Sequence, residues 1–325
     1  MSLSRREFMA AAAAAAAMPH RLAAREAPLF RISLAQWSLH RTFFGKALSL
    51  PWSEREALFR SDPDRLWQGA ALPVDFPVIA RREYGLEAVE YVNTMMYGKA
   101  DDAKWLGELD RRAKGEGVYH HLIMCDLEGA LGDPDEAARA RAIENHVRWL
   151  RCASRLGCAM IRVNAQSRGT PEEQAKLAAD GLRRLAERAE EFKLRVVVEN
   201  HGGYSSRASW LVEVLKRADH PLLGTLPDFG NFTVSSTERY DAYRGVEEMM
   251  PMAAAVSAKS HDFRDDGEEV DIDYARMLRL VLGAGFRGWI GVEYEGQRLP
   301  EPEGIRRTIK LLERTRTALA GEFGG

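Results

Sequence analysis

Short apolar runs of strand length alternate along the chain with longer stretches whose apolar positions recur at helical spacing. Eight runs read as strands: "FRISLAQWSL" (30–39), "LEAVEYVN" (86–93), "VYHHLIMCD" (118–126), "AMIRVNA" (159–165), "LRVVVEN" (194–200), "LLGTLPDFGN" (222–231), "AAVSAKSHDF" (254–263) and "RGWIGVEYEG" (287–296). The helical "FPVIARREYG" precedes the second, and an amphipathic stretch from Asp101 to Gly115 precedes the third. "DPDEAARARAIENHVRWLRCASRLG" opens on Asp-Pro and closes on Gly157, as a helix should. Thr170-Pro171-Glu172-Glu173 opens the next helix, and a final one runs from about Glu303 to Leu319.

Strands that alternate with helices in this order must lie parallel and be joined by crossovers. Eight such units over about 290 residues suit a (β/α)8 TIM barrel better than an open doubly wound sheet. The absence of a glycine-rich phosphate fingerprint after the first strand weighs the same way. No Ser/Pro/Gly linker divides the chain, so residues 25–325 read as one α/β domain. The segment from Thr42 to Leu72 is long for a first βα loop. Its "SLPWSERE" and "SDPDRLWQG" read as short helices covering one side of the barrel mouth.

Residues 1–24 stand apart from this pattern. Ser4-Arg5-Arg6-Glu7-Phe8 precedes a weakly apolar alanine run, and small residues suited to cleavage follow near Ala24. This resembles a twin-arginine signal peptide, which implies export of a folded protein to the periplasm or beyond. The alanine run falls short of the ~20 residues a stable membrane span needs. Lys and Arg number 46 against 48 Asp and Glu, for a net charge of −2, and no basic face points to nucleic acid. Cys125, Cys152 and Cys158 form no CxxC pair and support neither a disulfide framework nor a thiolate zinc site.

The chemistry is concentrated where the strands end, which in such a barrel is the active-site face. The strand ends carry Gln36, Trp37 and His40; Glu90 and Asn93; His121 and Asp126; Arg162 and Asn164; Glu199 and His201; Asp228 and Asn231; Lys259 and His261; Glu293 and Glu295. Ionisable groups crowded at one rim are costly unless paired or bound to metal. Strand alternation puts Val197, Glu199 and His201 on one face, and Ser257, Lys259 and His261 on another. If these faces point inward, Glu199, Asp228 and Glu293 converge. Three carboxylates together raise one another's pKa, and a divalent Mn, Mg, Co or Zn ion resolves the repulsion.

"VVVENHGG", "GTLPDFGNF", "VSAKSHDF" and "GWIGVEYEG" resemble the fifth to eighth strands of the xylose-isomerase-like sugar phosphate isomerase/epimerase superfamily, over roughly residues 30–318. The resemblance implies that Glu199 and Glu293 are metal ligands that also transfer protons, and that Asp228 is a third ligand. It also implies substrate contact at His201. The family's ligand histidine on the seventh strand falls on Lys259, and its lysine on His261, as if the two were exchanged. His261 is then the candidate fourth ligand, with Lys259 as a substrate-side cation. Glu90, Arg162, Trp37 and His40 complete the candidate substrate-binding set.

The expected function is metal-dependent isomerisation or epimerisation of a free sugar or keto-sugar, with glutamates moving protons through an enediolate. The alternatives are a lyase or dehydratase acting on a keto-sugar or oxidised glycoside, and a non-catalytic sugar-binding protein of the same fold. The expected partners are a carbohydrate, the twin-arginine export machinery and a second copy of the chain.

Overall fold

The computed structural model describes residues 28–324, so the twin-arginine-like segment 1–24 lies outside the described residues. Eight strands carry the architecture: β1 (Arg31–Ala35), β2 (Ala88–Val92), β3 (Tyr119–Met124), β4 (Met160–Asn164), β5 (Arg195–Glu199), β6 (Leu223–Leu226), β7 (Val256–Ser260) and β8 (Trp289–Tyr294). They form one parallel sheet in the order β6-β5-β4-β3-β2-β1-β8-β7. The sheet curls until its edges meet. Parallel bridges Thr225↔Ala253 and Asp228↔Ser257 join β6 to the approach and start of β7. Ser257 N donates to Pro227 O at 2.9 Å, and Phe229 N to Ser257 O at 3.1 Å. This is the (β/α)8 TIM barrel that the alternation predicts.

Each strand is followed by its helix: α1 (Phe76–Tyr84), α2 (Ala103–Glu116), α3 (Glu136–Leu156), α4 (Pro171–Ala189), α5 (Ala208–Ala218), α6 (Ala242–Met249), α7 (Tyr274–Gly283) and α8 (Glu301–Ala318). The helix starts are set by short polar side chains that satisfy the free N–H groups of the first turn. Asp102 accepts from Lys104 N and Trp105 N, and Asp135 from Ala138 N. Thr170 and Glu173 form a capping box at α4. Gly157 closes α3 at φ 76°, a conformation that favours glycine.

Two cores follow from the strand alternation. The larger lies between strands and helices and includes Leu34, Val89, Ile161, Val196, Val198, Leu211 and Ile290. The smaller fills the barrel itself with Ala35, Val92, Leu122, Met124, Met160, Val197, Leu226 and Ala255. The insert after β1 coils into short helical turns and a helix at Trp52–Ser61. Its rings interlock, with Phe44 5.9 Å from Phe59 and 5.3 Å from Trp67. Among the described residues, no helix is long and apolar enough to cross a membrane.

Candidate active site

β5 runs from Arg195 through Val196, Val197 and Val198 to end on Glu199, and β6, β7 and β8 deliver their polar residues to the same level of the barrel. Glu199, Asp228 and Glu293 each offer an oxygen within 4.8 Å of the others, and all three are buried. The predicted convergence is therefore present. Lys259, beside Glu293 in the β7–β8 register, enters the same cluster. Its Nζ lies 3.2 Å from Glu293 Oε1, 3.2 Å from Glu295 Oε1 and 3.8 Å from Asp228 Oδ2.

Every oxygen of the three acids faces an internal partner. Asp228 Oδ1 accepts from Gly230 N and Asn231 N, both at 2.8 Å. Ser257 Oγ lies 2.7 Å from Asp228 Oδ2 and 2.8 Å from Glu293 Oε2. Asn231 Nδ2 donates to Glu199 Oε1 at 2.9 Å, and Arg162 Nε stands 2.7 Å from Glu199 Oε2. Arg162 also donates to Asp126 Oδ1 at 2.7 Å, where Asn164 Nδ2 joins it at 2.8 Å.

The electrostatics separate the acids. Burial and neighbouring carboxylates push Glu199 and Asp228 up to about 7, although Arg162 and Lys259 pull the other way. Glu293 is buried too, yet Lys259, Ser257 and Arg162 hold it below the ordinary glutamate value. Burial opposes the charge of Lys259, but Asp228, Glu293 and Glu295 keep its pKa well above normal. Arg162 likewise holds Asp126 down at about 2 against its burial. Two carboxylates driven apart in this way are the usual signature of an acid and a base.

Above the cluster opens a cavity of about 430 Å³. One side is aromatic, built of Trp37, Phe44, Trp52 and Phe59; the other presents Asp126, Arg162, Asn164, His201, Glu293 and Glu295. The insert thus covers one side of the mouth, as its length suggests. Glu199, Asp228 and Lys259 lie outside the lining set, and each is buried.

The other candidate residues divide. Arg162, His201 and Trp37 line the cavity. His40 does not: it stacks on Trp37 at 5.0 Å and lies 3.4 Å from Glu301, so it backs the aromatic wall. Both sit beyond β1, because the chain coils at Gln36–Leu39 where the sequence reads as continued strand. Glu90 is not at a strand end. It lies within β2, fully buried, accepting from Ser33 Oγ at 2.6 Å. His121 belongs to the opposite end of the barrel, because β3 starts at Tyr119. His261 is left out of the acidic cluster: β7 ends at Ser260, so the alternation stops one residue short. Its side chain is 44% exposed, 4.0 Å from Glu295. Asn231, Ser257 and Asp126 are the site residues that pattern reading undervalues. The strand phase Ser257–Lys259 is the one signal that could have raised the first serine.

The triad alone is of a size that could hold a metal ion. With Lys259 in place the donor set does not suit one. At an effective dielectric of about 20, a divalent ion 4 Å from the ammonium would be repelled by about 8 kcal/mol, which offsets the pull of about one of the three carboxylates. The expected imidazole ligand is absent from the cluster, and an ammonium stands beside it instead.

Residues 79–315 match the family model described as Xylose isomerase-like TIM barrel. No curated protein matches the chain significantly. Among solved structures, L-ribulose 3-epimerase superposes with a TM-score of 0.65 at 14% identity, covering 90% of this chain and 96% of that one. A xylose isomerase-like TIM barrel protein from Mycobacterium smegmatis, in complex with magnesium, gives 0.60 at 14% identity over 90% and 97%. The 3-keto-D-glucoside 4-epimerase from E. coli gives 0.59 at 13% identity over 76% and 97%. At these identities the likeness is one of fold.

Proposed function

The chain belongs to the xylose-isomerase-like TIM barrel family, and from that premise we propose that it is a carbohydrate isomerase or epimerase acting on a free sugar or keto-sugar. The observation that carries the reading is Glu293, an acid with a depressed pKa that opens onto the cavity beside Arg162 and His201. Glu293 takes a proton from the carbon next to the substrate carbonyl. The electron pair moves to the carbonyl oxygen, and the guanidinium of Arg162 faces the resulting enediolate. Glu199, raised to about 7, is the second proton carrier of this reading; it lies outside the cavity lining, paired with Arg162, so the substrate must reach past that guanidinium to meet it. Delivery to the opposite face of the same carbon gives an epimer; delivery to the neighbouring carbon gives an isomer.

The aromatic side of the cavity favours one second reading. Trp37, Phe44, Trp52 and Phe59 leave an apolar surface beside the sugar position. That surface suits the aglycone of an oxidised glycoside, from which the same proton abstraction would expel a β-leaving group.

Proton NMR in D2O over a panel of ketopentoses, ketohexoses and 3-keto-glucosides tests both readings. Deuterium should enter at the carbon beside the carbonyl for at least one of them, with epimer, isomer or elimination product accumulating. A panel showing neither exchange nor product would overturn the proposal and leave a sugar-binding protein.

Export to the periplasm or beyond is the matching proposal for Ser4-Arg5-Arg6-Glu7-Phe8. The Arg5→Lys, Arg6→Lys double variant keeps the charge and should leave precursor in the cytoplasm. Normal export of that variant would remove the twin-arginine reading.

A further inference from the structure

We propose that Lys259 is the permanent cation of this site, standing in the place of a divalent metal, and that the protein works without a bound metal ion. This rests on the mouth of the barrel being the functional centre, as argued above.

Three observations converge on the lysine. Its ammonium touches the cluster from the inside, 3.2 Å from Glu293 and 3.8 Å from Asp228, with the side chain only 2% exposed. Its stem is fixed. A Cβ at position 230 would lie 3.0 Å from Lys259 Cγ and 3.2 Å from its Cδ, so Gly230 is what lets the stem run along the barrel wall. Held there, the ammonium has little room to swing aside for an incoming ion.

The third observation is that the acids already have internal partners, although the one Ser257 hydroxyl proton serves either Asp228 or Glu293 at a time. Asp228 accepts two backbone N–H groups and meets Ser257 and Lys259. Glu293 divides its oxygens between Lys259 and Ser257. Glu199 Oε1 accepts from Asn231, and its Oε2 stands 2.7 Å from Arg162 Nε as an ion pair without a hydrogen bond. A metal would have to displace these partners and tolerate the adjacent ammonium. The internal cation costs no binding equilibrium: it is present in every molecule, whatever the metal supply.

A lysine in this place also changes what the substrate meets. Lys259 lies outside the cavity lining, whereas Arg162 faces it. Lys259 is therefore a positioning residue that keeps Glu293 ionised, and the cation offered to a substrate oxygen is the guanidinium.

Metal content and thermal unfolding test this without a substrate, so the result is separable from the isomerase reading. Protein purified without chelator should contain far less than one equivalent of any divalent metal. Its melting temperature should not respond to EDTA, Mn²⁺, Co²⁺ or Zn²⁺. Lys259→His, which puts an imidazole in the place of the ammonium, should take up about one equivalent of Co²⁺, with visible absorption and a melting point raised by several degrees. Lys259→Met removes the charge and keeps the stem. It should likewise be stabilised by Mn²⁺ or Co²⁺, which provides the test if the histidine variant fails to fold. Wild-type protein carrying one equivalent of metal, with a melting point that falls on chelation, would overturn the proposal. So would equal metal responses from wild type and Lys259→Met.

Discussion

At the C-terminal end of the barrel Glu199, Asp228, Lys259 and Glu293 are buried, and each meets an opposite charge or a hydrogen-bond donor. At the other end a single imidazole, His121, is buried under rings. Tyr119 and Trp289 stack at 6.2 Å, Arg31 lies 4.2 Å over Trp289, and His121 approaches both aromatic residues at about 6 Å. Neither nitrogen of His121 has a hydrogen-bond partner. Burial, with Arg31 nearby, pushes its pKa down to about 4, so it stays neutral at physiological pH. The same strands line both ends. What differs is that one end buries a cluster of charges and organises it, while the other buries a neutral imidazole and stacks its arginine on a ring. An organised charge cluster beside a cavity marks a candidate functional site; a neutral imidazole among aromatic rings reads as packing.

The comparison is broken most severely by Glu293→Gln. This change keeps the shape and removes the proposed base. Turnover on the confirmed substrate should fall by about 10²–10⁴-fold, the cost of a lost general base. The melting point should fall little, because Lys259 retains Glu295 and Asp228 as partners. Parent-level turnover in steady-state assays would place proton transfer elsewhere in the mouth.

The opposite outcome is expected below. Trp289→Ala leaves Tyr119, His121 and Arg31 without their common neighbour. It should cost about 3–5 kcal/mol of stability in denaturant unfolding, the range for a large ring lost from a packed site. KM should be unchanged, because the affected residues lie at the far end from the cavity. A changed KM would mean that the two ends are coupled.

Much of this division can be read from residue order. The alternation of strands and helices identifies the barrel, and four strand ends name Glu199, Asp228, Lys259 and Glu293. The errors share one physical origin, the points at which strands begin and stop. His121 is assigned to the wrong end because an apolar run from Val118 to Asp126 gives no sign that pairing starts near its first residue and stops at Met124. His261 reads as inward because the period-two pattern carries past Ser260 in the sequence. There the chain instead turns, and His261 N donates to Glu269 Oε1 at 3.1 Å. The hydrogen-bonding roles of Asn231 and Ser257 depend on pairings across strands, which no local spacing states.

Glu90 tests where the boundary between the two regimes lies. It stands midway up β2, fully buried, with Ser33 as its one hydrogen-bond partner. Its Oε2 has no partner, and a Cβ at position 291 would come within 2.5 Å of it, so Gly291 makes the room this carboxyl occupies. Burial, offset in part by Ser33 and reinforced by Glu293 and Glu199, raises it to about 8. Near neutral pH the folded protein therefore holds it protonated, while the unfolded chain ionises it near its ordinary value. The native state binds the extra proton, so the stabilising contribution is complete at low pH and is lost as pH rises through about 8. Glu90→Gln is neutral throughout and lacks that loss. Relative to the variant, the wild type should weaken by at most about 1.4 kcal/mol per pH unit, or about 2 kcal/mol between roughly pH 5.5 and 7. Chemical denaturation of both proteins across that interval measures the difference. KM should stay at the parent value, because Glu90 does not line the cavity. A flat difference would mean that Glu90 is ionised and paired in the native state, and that the charged regime of the mouth extends down to the middle of the barrel.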